Sequence, residues 1–136
     1  MKTPGRLASL VALGLFAPMR WTAAEPQVRA EGDPKRGKAV FEQCIACHAF
    51  DEPKPAGPLL TGVFGRKAGS RDDYRYSAAM TRSGVVWTAA TLDAYIANPQ
   101  EYIKGNRMTF AGVTGKPDRD DLIAYLEEAT KASGEP

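Results

Sequence analysis

Cys44-Ile45-Ala46-Cys47-His48 is the stretch on which the reading of this chain turns. Two thiols three positions apart, followed at once by an imidazole, form the attachment signature of a c-type haem. The spacing has a geometric basis. On one helical turn Cys44 and Cys47 share a face, so each can form a thioether with one haem vinyl group. His48 is then placed to direct its imidazole at the iron. A Cys-x-x-Cys pair also serves thioredoxin-like redox sites and forms half of a four-ligand zinc site. The 136-residue chain has no other cysteine and no other histidine, so a zinc site lacks its remaining usual ligands. A thioredoxin-like motif calls for βαβ surroundings, whereas the flanks here read as helix.

Upstream, residues 1–6 carry Lys2 and Arg6, residues 7–19 are nearly all apolar, and Thr22-Ala23-Ala24 offers small residues for cleavage. That layout predicts a signal peptide over residues 1–24. The apolar stretch is 13 residues long and includes Pro18, short of the roughly 20 that span a bilayer. A periplasmic destination suits the motif, because bacterial c-type haems are attached outside the cytoplasmic membrane. The leader holds three cations and no acid, which leaves 15 basic and 16 acidic residues in 25–136. The basic pI therefore belongs to the leader. Nothing in the remainder resembles a nucleic-acid-binding or membrane-binding stripe.

Downstream of a short polar connector, 25–32, one domain is expected over 33–136. Asp33-Pro34 reads as an N-cap and first-turn proline. The helix it opens places Gly37, Phe41 and Cys44 on one stripe and delivers the motif near its end. Residues 49–71 are rich in glycine and proline, which predicts a long ordered loop wrapped around a cofactor. Residues 88–98 form a second amphipathic helix with Leu92, Tyr95 and Ile96 on one face, stopped by Pro99. Asn98-Pro99 can cap a further short turn through Tyr102. The final helix has Asp118, Asp120 and Asp121 in its first turn, Lys131 in its last and Gly134 beyond. No alternating strand is evident, so the fold class is all-α. A domain of about 110 residues with this much loop is marginal on its own core. A covalently tied apolar disc resolves that, by becoming the centre of the core.

The far side of the iron separates a carrier from an enzyme. A second strong ligand closes the metal to everything but electron exchange, and an open site admits gas or peroxide chemistry. Methionine sulfur is the natural candidate, and beyond the leader the chain offers Met80 and Met108. Met108 lies in a non-helical stretch bracketed by Gly105 and Gly112, from which a thioether reaches iron more freely than from a helix interior. That favours Met108 and leaves Met80 as a core filler, the commoner fate of a methionine.

The order of further blocks extends the reading. They are Gly37…Phe41-x-x-Cys44-x-x-Cys47-His48, Gly57-Pro58-x-Leu60 and Gly62-Val63-Phe64-Gly65-Arg66. Then come Tyr74-Arg75-Tyr76-Ser77, Trp87, Tyr95-x-x-Asn98-Pro99, Met108-x-Phe110-Ala111-Gly112 and Asp121-Leu122-Ile123-Ala124-Tyr125-Leu126. In this order they resemble the class I c-type cytochromes, the soluble family of mitochondrial and bacterial cytochrome c. The resemblance implies the cytochrome c fold, with first and last helices crossing and the remaining helices and loops wrapped around one haem c. It implies axial ligands at His48 and Met108, and a Pro58 carbonyl that accepts the imidazole N–H. Arg66, Tyr76 and Trp87 match residues that contact the haem propionates. Tyr95 matches a tyrosine whose hydroxyl approaches the methionine sulfur, and Gly37 and Tyr125 match the close helix crossing.

The chain also departs from the mitochondrial pattern. Asn106 and Arg107 stand where Thr and Lys are usual, Met80 stands where Asn is usual, and the ring of lysines around the haem edge is nearly absent. The function implied is that of a monomeric one-electron carrier, not an enzyme. Its partners would be respiratory or photosynthetic membrane complexes, a cytochrome bc-type donor and a terminal oxidase or reaction centre as acceptor. Two other readings stand beside it: a peroxidase or gas binder with a labile sixth ligand, and an electron-acceptor subunit of a periplasmic dehydrogenase.

Overall fold

The computed structural model describes residues 32–54 and 56–132. The expected leader, most of the connector and Gly134 lie outside the described residues. Five helices follow in chain order: α1 Pro34–Phe41, α2 Ala78–Arg82, α3 Ala89–Ala97, α4 Pro99–Tyr102 and α5 Lys116–Ala132. Among the described residues there is no strand, only isolated bridges joining Lys54 to Gly57 and Lys67 to Val86. The all-α class is as expected.

Local chemistry sets the helix ends. The Asp33 carboxylate accepts from the Lys35 N–H at 2.8 Å, with Pro34 behind it in the first turn. Thr88 and Thr91 cap each other reciprocally at the start of α3, at 2.7 and 3.2 Å. Asn98 ends α3 and opens α4, its side chain accepting from the Glu101 N–H at 3.2 Å.

At three points the structure corrects or adds to the expectations. The first helix does not carry through the Cys-x-x-Cys-His motif; α1 ends at Phe41. From Glu42 to Cys44 each N–H bonds three residues back, ending with Cys44 N–H to the Phe41 carbonyl at 2.7 Å. This tightening is common at helix C-termini, and it turns the motif off the α1 stripe onto a helical turn of its own. There the Cys44 carbonyl accepts from Cys47 N at 3.0 Å and His48 N at 2.8 Å. The second point is α2, an element the sequence reading left unassigned; it is capped by Ser77, and its five residues are too short to show a helical period. The third concerns α5, which begins at Lys116, so only Asp118 of the three acids falls in its first turn.

The frame is the crossing of α1 over α5. A Cβ on Gly37 would overlap the Asp121 carbonyl and stand 2.8 Å from the Tyr125 Cβ, so glycine is what permits the approach. Beside it Leu122 and Ile123 are almost fully buried, each worth about 1.5–3 kcal/mol of apolar burial. The Phe41, Phe50 and Tyr125 rings cluster there, with the Phe41 and Phe50 centroids 5.1 Å apart.

A polar clasp closes the crossing. Arg36 grips the buried Asp121 carboxylate in bidentate fashion at 2.6 and 2.9 Å, and the Asp33 N–H donates to it at 2.6 Å. The Arg36 hydrogen bond, followed by the one from Asp33, holds the Asp121 carboxyl below its ordinary value. A carboxyl depressed in the folded state stabilises fully above its unfolded pKa of about 4, and that contribution is lost as pH falls through the folded value. Asp121→Asn should therefore be less stable than the parent at neutral pH, with the difference shrinking below about pH 4. Denaturant midpoints across an acid series check this; a gap independent of pH would show that the charge contributes nothing.

Candidate functional site

A cleft with a cavity volume of about 290 Å³ opens beside the helix crossing. Phe41 of α1, Leu92 and Ile96 of α3, and Leu122 and Leu126 of α5 give it apolar walls. All nine site residues read from the sequence line it: Cys44, Cys47, His48, Pro58, Arg66, Tyr76, Trp87, Tyr95 and Met108. They come from segments scattered between the first helix and the loop before α5, so the fold assembles what the chain disperses.

On the motif side, the His48 ring donates from Nδ1 to the Pro58 carbonyl at 2.8 Å. A carbonyl can only accept, so Nδ1 carries the hydrogen and the lone pair sits on Nε2. Burial lowers the His48 pKa from its ordinary value, and the Pro58 hydrogen bond opposes this more weakly. The ring is thus neutral, oriented and ready to act as a ligand. Gly57 makes the approach possible, since a Cβ there would lie 2.8 Å from His48 Cε1 and 2.6 Å from the Cys47 carbonyl. Of the two thiols, Cys44 is half-buried and Cys47 exposed. Burial, with a smaller contribution from Cys47, pushes the Cys44 thiol up to about 11.

A second wall carries charge. Arg66 is half-buried and donates to the Thr61 and Leu59 carbonyls at 2.5 and 3.2 Å. Among the described residues it forms no ion pair with a side chain, and burial lowers its pKa. Its backbone is tied to the Trp87 strip, with Trp87 N donating to the Arg66 carbonyl at 2.9 Å. Tyr76, whose phenol is raised by burial, stands T-shaped against Tyr74 at 4.9 Å.

The third wall is the loop between α4 and α5. Met108 is half-buried, and both of its peptide groups are held by side-chain amides. Its N–H donates to Asn106 Oδ1 at 2.8 Å, and its carbonyl accepts from Gln100 Nε2 at 2.9 Å. The Tyr95 hydroxyl, raised by burial and therefore a neutral donor, also reaches Asn106 Oδ1, at 3.3 Å. Met80 lines the cleft as well, from α2 and within the hydrophobic core. Sequence reasoning noticed Asn106 only as a departure from a pattern and gave Gln100 no structural role. Their partners lie up to 11 residues away, and no local period signals them.

The family model described as Cytochrome c matches residues 34–130. The chain belongs to the cytochrome c family. It is 47% identical to cytochrome c type-1 of Ascaris suum over 103 residues, which cover 74% of this chain and 92% of that protein. It is 44% identical to cytochrome c2 of Rhodomicrobium vannielii over 112 residues, covering 81% and 87%. Cytochrome cH from Methylobacterium extorquens shares the fold with a TM-score of 0.69 at 40% identity, over 71% of this chain and 99% of that one. The chain is thus a class I c-type cytochrome, a haem c electron carrier with the all-α fold of that family.

Cytochromes c bind one covalent haem, and the cleft suits it. The thiols lie on its wall at the attachment spacing, beside an imidazole with one available lone pair. The half-buried Arg66 on its wall is a positive charge of the kind that propionates would need, since buried carboxylates cost several kcal/mol unless donors or charges meet them. Haem should accordingly stay with the polypeptide through acid–acetone extraction and denaturation. Replacing both Cys44 and Cys47 by alanine should release it. Bare chain in the mass spectrum of parent protein, made where haem attachment operates, would contradict this.

Proposed function

We propose that this cytochrome is an exported, monomeric one-electron shuttle whose iron is held by His48 and Met108. It would carry electrons from a cytochrome bc-type complex to a terminal oxidase or a photosynthetic reaction centre, and would not act as an enzyme. The observation that carries the reading is the meeting of His48 and Met108, distant in sequence, on the walls of one apolar cleft. When bound, the haem supplies a one-electron change at iron between ferrous and ferric states.

The chain's own residues do the rest. Pro58 and Gly57 hold the His48 ring in one tautomer and one orientation. Met108 is favoured over Met80 as the sulfur ligand because its loop is anchored at both peptide groups of the ligating residue. Met80 instead lies 9% exposed in the core, on a helix capped by Ser77. Arg66, Tyr76 and Trp87 line the cleft and would meet the haem propionates, and the apolar walls would exclude water, which favours the less charged ferrous state. With Met108 as the second ligand, the iron would offer no open position to peroxide or a gas.

Export supports the same reading. The positive, apolar and small-residue segments of residues 1–24 form a secretory leader, and no helix among the described residues is long and apolar enough to cross a membrane. The protein would work in the periplasm.

Met108→Ala should give a ferric iron that is high-spin or open to added ligands. Met80→Ala should keep the methionine–iron charge-transfer band and lose stability by roughly 2–5 kcal/mol, as buried Met→Ala changes do. The reverse spectra would identify Met80 as the ligand, and rapid cyanide binding with peroxide turnover in the parent would favour the enzyme reading. Mass spectrometry of the periplasmic fraction should show a chain beginning near Glu25. Full-length chain recovered only with membranes would make the apolar segment an anchor.

A further inference from the structure

We propose that Asn106, seconded by Gln100, is a positioning residue that holds the Met108 loop shut over the cleft and so sets how readily the sulfur leaves the iron. The inference rests on Met108 as the ligand. Asn106 is 7% exposed in a loop that otherwise has no regular structure. Its amide satisfies five groups at once. Nδ2 donates to the Pro99 carbonyl at 2.7 Å and to the Ile103 carbonyl at 2.9 Å. Oδ1 accepts from the Met108 N–H at 2.8 Å, and from the Tyr95 hydroxyl and Gln100 Nε2 at 3.3 Å each.

The amide's orientation is forced. Carbonyls only accept and the Met108 N–H only donates, so exchanging O and N would set like against like at all three contacts. One side chain thereby ties the first residue of α4, the turn at Ile103, the buried ring of Tyr95 and the Met108 backbone to one another. Gln100 completes the hold from α4, reaching the Met108 carbonyl at 2.9 Å. Both polar groups of the Met108 peptide are therefore engaged by amides that never enter the cleft.

The physical consequence is specific. A thioether is a weak ligand, and its departure requires the loop to swing away. That motion must break the bonds by which Asn106 and Gln100 hold the Met108 peptide, and any shift of the Asn106 amide takes from the buried Pro99 and Ile103 carbonyls one of the two donors each has, the other being a backbone N–H at 3.1 Å. Removing the amide puts that cost into the closed state instead, so the opening barrier falls. Aspartate in its place keeps the acceptor for Met108 but turns an oxygen toward two carbonyls, and should open the loop further.

The test uses ferric holoprotein and imidazole in stopped flow. At saturating imidazole the limiting rate of sulfur displacement reports loop opening and not imidazole affinity. Asn106→Ala should raise that rate by roughly tenfold or more, the scale expected for one lost buried hydrogen-bonding group. Asn106→Asp should raise it further, and Gln100→Ala by a smaller factor. Arg36→Ala, which weakens the distant α1–α5 clasp, should lower the unfolding midpoint without changing the limiting rate. An Asn106→Ala rate equal to the parent's, or a rise that Arg36→Ala matches, would overturn the proposal. Should neither Asn106 variant retain haem, the exposed Gln100→Ala decides alone, and a parental rate there overturns it. A parent lacking the methionine–iron charge-transfer band overturns the Met108 ligation instead. A parent with the band and unchanged exchange in the variants removes only the clamp.

Discussion

The crossing of α1 over α5 at Gly37 is the constraint from which the rest follows. It needs a missing side chain on one helix and an aromatic partner, Tyr125, on the other, and at its edge it buries Asp121, which the exposed Arg36 clasps. With the two helices fixed, Phe41 ends α1 against Phe50 and Tyr125, and the haem-attachment motif must begin its own turn immediately beyond. The position of His48 in the cleft is thus set by packing at Phe41 and Gly37, seven and eleven residues upstream. Leu122 and Leu126 of α5 then form part of the wall that the cofactor meets.

That arrangement explains how so small a domain with so little helix is viable. Much of what the chain would bury as its own core lines the cleft instead, so Leu92, Tyr95, Ile96 and Trp87 are both core residues and cofactor wall. A haem in this place would fill the cleft that one contiguous hydrophobic core surrounds. Covalent attachment then makes the union permanent, and the boundary between folding and cofactor binding disappears.

Much of this was legible in the sequence, for identifiable reasons. Helix ends governed by local chemistry were predictable: Asp33-Pro34, the Thr88 cap and the Asn98-Pro99 junction all fall where their hydrogen-bonding side chains dictate. The nine cleft residues were legible because the motif and the family blocks fix residue types at fixed spacings. What was not legible is long-range or too short to have a period. The Arg36–Asp121 clasp joins residues 85 apart, α2 is five residues long, and the tightening after Phe41 depends on where Tyr125 and Phe50 lie. Asn106 was visible as an anomaly. Its significance depended on Pro99, Ile103 and Tyr95 converging on one amide, and only the folded chain supplies that convergence.

The two residues proposed as axial ligands are held by opposite strategies, and the contrast bears on function. His48 follows Cys47 directly, its ring is locked by Pro58, and Gly57 packs against it; nothing there can move without disturbing the attachment itself. Met108 has no such neighbour. It depends on a loop with one fixed end in α4 and the other where Val113 N meets the Ile96 carbonyl at 2.9 Å, and on side-chain amides in between. A carrier must keep its ligand set through each change of oxidation state, so the weaker ligand needs the stiffer mounting. Hydrogen bonds to a buried, fully engaged amide supply that stiffness without placing a polar group in the cleft. Asn106 and Gln100, which restrain the Met108 backbone, are thus absent from the lining of the mostly apolar cleft that Met108 helps to wall.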